Sequence, residues 1–320
     1  MAEIACLGEL LIDFVPTESG VAVADALAFK KAPGGAPANV AVGLARLGVS
    51  SAFVGQVGND AFGRFLADTL IENGVDVSGL RFTDAARTAL AFVSLTAAGE
   101  RDFMFYRHPS ADMLYRPEDV DTDVIAGAQI FHFGSISLID DPARAATLLA
   151  AQSARAAGRL VSYDPNLRLA LWPDADAARA GIRLGWPLAN VIKVSEDELR
   201  FLTSEPEMES AARSLWHDDL RLLFVTQGAN GCTFFSADTA GRVPGFGVEA
   251  VDATGAGDAF VAAVLRGLLE SPSVRVDSGW LYDVCRYANA AGALTTTGRG
   301  AIPSLPTEAQ VREFLTLQAD

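Results

Sequence analysis

Asp252-Ala253-Thr254-Gly255-Ala256-Gly257-Asp258 runs straight into the apolar segment Ala259-Phe260-Val261-Ala262. The glycines bare the backbone, and Phe260, Val264, Leu265 and Leu268 then mark one apolar helix face. Gly255-Ala256-Gly257-Asp258 therefore sits at a helix N-terminus, where free N–H groups and the helix dipole favour an anion. No lysine follows the glycines. Instead Asp258 stands where an incoming phosphate would meet negative charge. Taken singly, it reads as a capping residue beside a tight turn. Two phosphate-binding patterns are excluded. There is no G-x-x-x-x-G-K-[ST] run, and G-A-G-D-A-F lies late in the chain without the third glycine of a dinucleotide fingerprint.

Four further groups carry possible chemistry. In "PGGAPANVAVGLARLG" (33–48), Gly34 and Gly35 would let a polyhydroxy ligand approach the backbone, with Asn39 donating and accepting hydrogen bonds. Helix capping and close packing explain the same residues equally well. In "YDPNLRLALW" (163–172), Arg168 could reach a phosphoryl oxygen or a sugar hydroxyl; the plainer reading is a turn at Asp164-Pro165 with a loop salt bridge. In "IKVSEDEL" (192–199), four charges among eight residues suit a solvated helix start, or a role for Glu198 in holding hydrated Mg²⁺. Asp13, in "GELLIDFVP", is an ordinary surface charge unless a sugar lies beside it, where it could accept two hydroxyl hydrogen bonds.

These residues need strand ends and helix starts to position them. Apolar segments at 4–14, 51–58, 129–136, 158–166, 189–195 and 220–228 read as strands. Ala-rich helices fall at 35–48, 60–74, 142–157 and 258–270. Strand–helix alternation over this length implies an α/β fold, with a mostly parallel sheet and helices on both faces. "RTALAFVSLTAAGERDFMFYRH" (87–108) breaks the series as two strands around "TAAGE", and 13–33 lacks a clear helix. Together they predict a small β-sheet lid within one domain spanning 1–320.

Half of the 320 residues are hydrophobic, which suits a substantial core. A net charge of −15 argues against nucleic acid or an anionic membrane as partner, but a nucleotide needs only a local positive site. Three scattered cysteines form no disulfide framework or metal spacing, and "MAEIACLGEL" lacks a basic n-region. A cytoplasmic setting is expected. Three histidines argue against a His-based metal site.

Two motifs in order, the glycine pair with Asn39, Gly48 and Gly58, then "DATGAGDAFVAA", make the chain resemble the ribokinase-like, or PfkB, sugar kinases. "VTQGANG" (225–231) and "ANAAGALTTTGRGAIPSLPT" (288–307) extend the resemblance over essentially the whole chain. "HPSADMLY", "DPNLRLALW" and "IKVSEDEL" are similar to fructokinases in particular, whereas ribokinases usually read G-G-K-G-A-N in the first motif. The resemblance implies transfer of the ATP γ-phosphate to the primary hydroxyl of a sugar, D-fructose foremost. Ribose, 2-keto-3-deoxygluconate and an aminoimidazole riboside are the alternatives, and a non-catalytic sugar or nucleotide binder is the alternative of another class.

It also implies roles. Asp258 becomes the general base, the amides of Gly255, Ala256 and Gly257 an anion hole, and Arg168 a partner of the phosphoryl charge. Asp13, Gly34, Gly35, Asn39 and the lid residue Arg107 orient the sugar. Thr226, Gly228, Gly231 and Asn289 line the ATP groove, with Asn289 near the adenine. Mg²⁺ bridges the phosphates with Glu198 contributing through water. The resemblance also admits K⁺ near Asp252 and a homodimer through the lid. The chain departs from the family pattern at Ser195, where many relatives have Asn, and at Ala253, where many have Thr.

Overall fold

A computed structural model describes residues 1–18, 20–95, 101–270 and 277–318. Seven parallel strands form most of its main sheet: β1 (Ile4–Leu7), β4 (Ser51–Gly58), β5 (Leu80–Thr83), β8 (Ile130–Gly134), β9 (Leu160–Asp164), β10 (Val191–Ser195) and β11 (Leu222–Thr226). Two antiparallel strands, β12 (Cys232–Phe235) and β13 (Ala240–Val243), close one edge. The order is β13-β12-β11-β10-β9-β8-β1-β4-β5. From β1 the chain builds outward through β4 and β5, then returns to the other side of β1 at β8. Strand order therefore reverses there, where open α/β sheets leave a crevice at the carboxyl ends of their strands.

Alternation along each strand divides the core between the two faces. Ile4, Cys6, Phe53 and Phe224 pack on one side, with helices α1 (Ala36–Arg46), α2 (Ala61–Glu72), α8 (Ala256–Glu270), α9 (Ser278–Thr296) and α11 (Glu308–Leu317). Ala5, Leu7, Phe131, Tyr163 and Val225 face the other side, with α3 (Thr122–Gly127), α4 (Ala143–Ala156), α5 (Ala175–Gly185), α6 (Glu196–Thr203) and α7 (Met208–Ser214). A short helix, α10 (Ala301–Ser304), precedes α11. Burial of both faces explains why the central strands read as continuous apolar runs.

The small sheet is also present, as β2 (Leu11–Pro16), β3 (Phe29–Gly34), β6 (Leu90–Leu95) and β7 (Arg101–Tyr106) in the order β3-β2-β6-β7. The β2–β3 and β6–β7 pairs are antiparallel, and β2–β6 is parallel. The expected turn at 96–100 lies outside the described residues. On one side of this sheet Phe14 stacks on Phe92 and meets Phe62 of α2 edge-on. The other side carries Leu11, Asp13, Val93 and Phe105, which line the main cleft.

Two expectations need correction. The apolar run 4–14 is two strands in two sheets, because residues 8–10 carry the chain from one to the other. Period-two alternation cannot reveal that change of sheet. The short strands β5, β12 and β13 were also not legible as separate strands; four residues carry too little pattern.

Candidate active site

A cleft of about 570 Å³ runs between the small sheet and the carboxyl ends of the main sheet. Asp13, Gly35, Asn39, Asn166, Arg168, Lys193, Glu198, Gly255, Gly257 and Asp258 all line it.

Close packing of two helices brings its key pair together. Gly43 of α1 is so near Ala262 of α8 that a Cβ on the glycine would lie 2.9 Å from the alanine Cβ. One turn toward each N-terminus stand Asn39 and Asp258, and Asn39 Nδ2 donates to Asp258 Oδ2 at 2.7 Å. The two starting turns depend on glycine. Gly35 (φ +110°) precedes α1, and a side chain there would strike the Glu9 carbonyl. Gly255 (φ +84°) precedes α8, and a Cβ would lie 2.7 Å from that of Ala301. Both conformations are disfavoured for other residues.

Asp258 is the third residue of α8 and is 7% exposed. Burial pushes its carboxyl above the ordinary range, against the pull of the Asn39 hydrogen bond and the Lys193 and Arg168 charges. Arg168 Nη1 donates to Asn166 Oδ1 at 2.7 Å and to the Leu167 carbonyl. No salt bridge joins Arg168 to a carboxylate among the described residues, so the loop salt bridge that offered its plain explanation is not formed. The amides at the start of α8 are not equivalent: the Ala256 N–H donates to the Ala253 carbonyl at 3.3 Å and is engaged in the turn.

Asp13 lines the cleft on the side of the small sheet, with Gly34 packed against its carboxylate. Burial raises its pKa to about 7; Arg168 opposes the shift, while Asp252 and Asp258 reinforce it.

Lys193 is the residue that sequence reasoning missed. In "IKVSEDEL" its charge suited a solvated helix start, but it lies on β10, not on the helix. Its Nζ is 3.0 Å from Asp164 Oδ2 on the neighbouring strand β9, and the two side chains are 11% and 4% exposed. A Cβ at Gly257 would lie 3.1 Å from the ammonium. Burial works against the lysine's charge, but the carboxylates of Asp164 and Glu198 outweigh it and hold the group above its ordinary range. Burial pushes Asp164 the opposite way, toward its neutral form, and Lys193 opposes that. At this separation the geometry supports the ionic pair. The available signal was a lysine inside an otherwise apolar strand.

Glu198 lines the cleft with both oxygens already accepting amides, Oε1 from Leu167 at 2.6 Å and Oε2 from Ser195 at 2.7 Å. Ser195 Oγ accepts the Glu198 amide in return, forming a capping box. Ser195 thus starts α6. Among the described residues no three His, Cys, Asp or Glu side chains converge into a metal cage. Hydrated Mg²⁺ needs none, since it keeps several waters and takes one or two carboxylates plus phosphates. The wall formed by Asp197 and Glu198 fits that demand.

The other residues lie outside the cleft wall. Arg107, the candidate from the small sheet, lies in an internal ion pair. Its Nε and Nη2 donate to Asp112 Oδ2 at 2.9 and 2.6 Å, both residues are buried, and Arg107 is absent from the cleft lining. Thr226 ends β11 beside Ser195, and Gly228 and Gly231 form the following turn. Asn289 donates to the carbonyls of Val243 and Pro244, tying α9 to the β13 edge that Gly231 also touches. Asp252 accepts from Thr254 N and Oγ1 and from the Gly300 amide, joining the glycine loop to residue 300.

Residues 1–308 match the family model of the pfkB family carbohydrate kinases. A probable fructokinase-6, chloroplastic, of Arabidopsis thaliana is 56% identical over 314 residues, covering 98% of this chain and 82% of that one. The structure is similar to that of a fructokinase with bound ATP from Xylella fastidiosa, with TM-score 0.91, 36% identity and full coverage of both chains. It is also similar to a fructokinase double mutant from Vibrio cholerae O395 with fructose, ADP and potassium ion bound. That match has TM-score 0.87 and 37% identity, and covers 98% of each chain.

Proposed function

The chain belongs to the pfkB family of carbohydrate kinases and is an ATP-dependent sugar kinase, and on that premise we propose that Asp258 is the base that activates the primary hydroxyl of D-fructose. The observation that carries this reading is the Asp258 carboxylate, buried at the start of α8 and opening on the cleft with Asn39 bonded to one oxygen.

Its raised pKa makes Asp258 a stronger base than a solvated carboxylate. The sugar oxygen attacks the γ-phosphorus as its proton passes to Asp258; the bond from that phosphorus to the β–γ bridging oxygen breaks, and ADP leaves. Arg168, Lys193 and the amides of Gly255 and Gly257 face the charge on the transferring group. A divalent ion, Mg²⁺ in this proposal, neutralises charge on the phosphates when bound, and Asp197 and Glu198 would hold it through water. Asp13 and Asn39 orient the sugar. The ATP base lies toward Thr226, Gly228, Gly231 and Asn289. The small sheet acts as a lid that excludes water. Potassium near Asp252 and the loop it ties to Gly300 would order the phosphate cradle. A cytoplasmic setting, and a homodimer through the outer face of the lid where Met104 and Tyr106 are exposed, complete the proposal.

The test is ADP release with Mg·ATP against fructose, ribose, 2-keto-3-deoxygluconate, glucose and aminoimidazole riboside, each with and without K⁺. Fructose should give the highest kcat/KM. A higher value on another sugar would move the error to the acceptor end, and binding without turnover on any sugar would favour the non-catalytic binder.

A further inference from the structure

Glu9 is a buried carboxylate that the proposed reaction does not use. It follows β1 and is 2% exposed. Its Oε1 accepts the Ala36 amide at 2.8 Å, in the first turn of α1. Its Oε2 is buried and accepts no hydrogen bond from another residue, although a buried carboxylate oxygen without a partner is costly. Glu9 lines the acceptor end of the cleft with Asp13, Asn39 and Phe105.

A second observation points the same way. Asn39 Oδ1 is also buried without a partner, because the amide's donor side faces Asp258. The two unpartnered atoms belong to residues of this wall, lie just beneath its surface, and are both acceptors. They therefore call for donors, and a neutral polyol offers hydroxyl donors in number. Arg107, whose charge acts on Glu9, already gives its Nε and Nη2 to Asp112.

We propose that Glu9 is a second acceptor-binding carboxylate, whose Oε2 receives a hydrogen bond from one hydroxyl of the sugar while Oε1 fixes the loop that carries Asn39. The proposal rests on the reading of this cleft end as a site for a neutral sugar. It competes with one other arrangement. Glu9 also borders a cavity of about 10 Å³ beside Gln56, Asp112 and Ser137, and Ser137 Oγ is unpartnered too. That space is near the minimum for one water, which could bridge Glu9 to Ser137 instead.

The experiment compares kcat/KM for D-fructose and for its single-deoxy analogues, in the wild type and in Glu9→Gln. The variant should lose about tenfold on fructose, the difference between a charge-assisted and a neutral hydrogen bond. For one analogue, the one lacking the partner hydroxyl, that loss should vanish. An equal loss on every analogue would show that Glu9 only supports the loop and would overturn the proposal, as would the same pattern from Ser137→Ala. If Glu9→Gln does not fold, a crystal structure of the wild type with fructose decides. A hydroxyl within about 3.2 Å of Oε2 is expected; Oε2 bonded only to a water shared with Ser137 overturns it. Wild-type turnover separates the two levels. Failure on every neutral sugar removes the functional reading and this proposal with it, whereas turnover without coupling to any hydroxyl removes only the role of Glu9.

Discussion

Asn39 donates its amide N–H to Asp258 across 219 residues of chain, at 2.7 Å and out of solvent. The bond fixes one oxygen of the carboxylate and, in the proposed reaction, leaves the other for a substrate proton. It also opposes the upward pressure of burial on the Asp258 pKa, so the same contact orients the carboxylate and tunes it.

Asp258→Asn should keep the fold and lower kcat by about 10²–10⁴-fold, the usual cost of removing a general base. Asn39→Ala should lower kcat by about 10–100-fold, the worth of a hydrogen bond to a charged group. ADP release and thermal melting on the same samples check both. Near-normal kcat in Asp258→Asn would remove the base assignment.

Lys193→Met strands Asp164 in the interior. Breaking a buried pair from one side costs about 3–5 kcal/mol. Replacing both partners, as Lys193→Met with Asp164→Leu, should recover part of that loss while activity stays low. Urea denaturation of the two single variants and the double variant measures the coupling. Strictly additive losses would show that the pair does not act as a unit.

Acid should act in opposite directions on activity and on stability. Asp13 and Glu9 are both raised to about 7 by burial, from ordinary values near 4. Between those values the folded protein holds these protons and the unfolded chain does not. The contribution of these groups to stability is therefore full below about pH 4 and is lost as pH rises through 7. Protonated Asp13 is a poorer hydroxyl acceptor, so KM for the sugar should rise as pH falls below about 7. Asp13→Asn should flatten that limb. Urea midpoints and initial rates from pH 5.5 to 8.5 test the pair of trends; a KM limb unchanged in Asp13→Asn would assign it to another group.

Gly255→Ala should damage both fold and rate. It forces a left-handed backbone conformation, about 1–3 kcal/mol, and drives a methyl into Ala301. Gly74→Ala is the control. It shares a positive φ, but its Cβ meets no atom within 4 Å, so it should cost only the backbone strain and leave kcat unchanged. Equal kcat in the two variants would show that the shape of the Gly255 turn does not matter to transfer.

Local pattern carried much of this protein's description. The phosphate cradle at 255–258, the glycine pair before Asn39 and the alternating apolar runs are contiguous, and the φ demands and dipoles they create act within a turn or two of chain. The α/β class and the small sheet are legible for that reason. Partnerships between distant segments were not. Arg107 reads as an unpaired cation until the fold sets Asp112 against its guanidinium. Lys193 reads as a solvated charge until β9 brings Asp164 alongside it. Glu9 draws no notice until both its neighbours and its vacant oxygen can be seen. Burial and pairing decide what a charged side chain does, and both depend on which strands lie side by side. Residue types and spacing therefore determined which chemistry was available, and tertiary packing decided which charges were left to perform it.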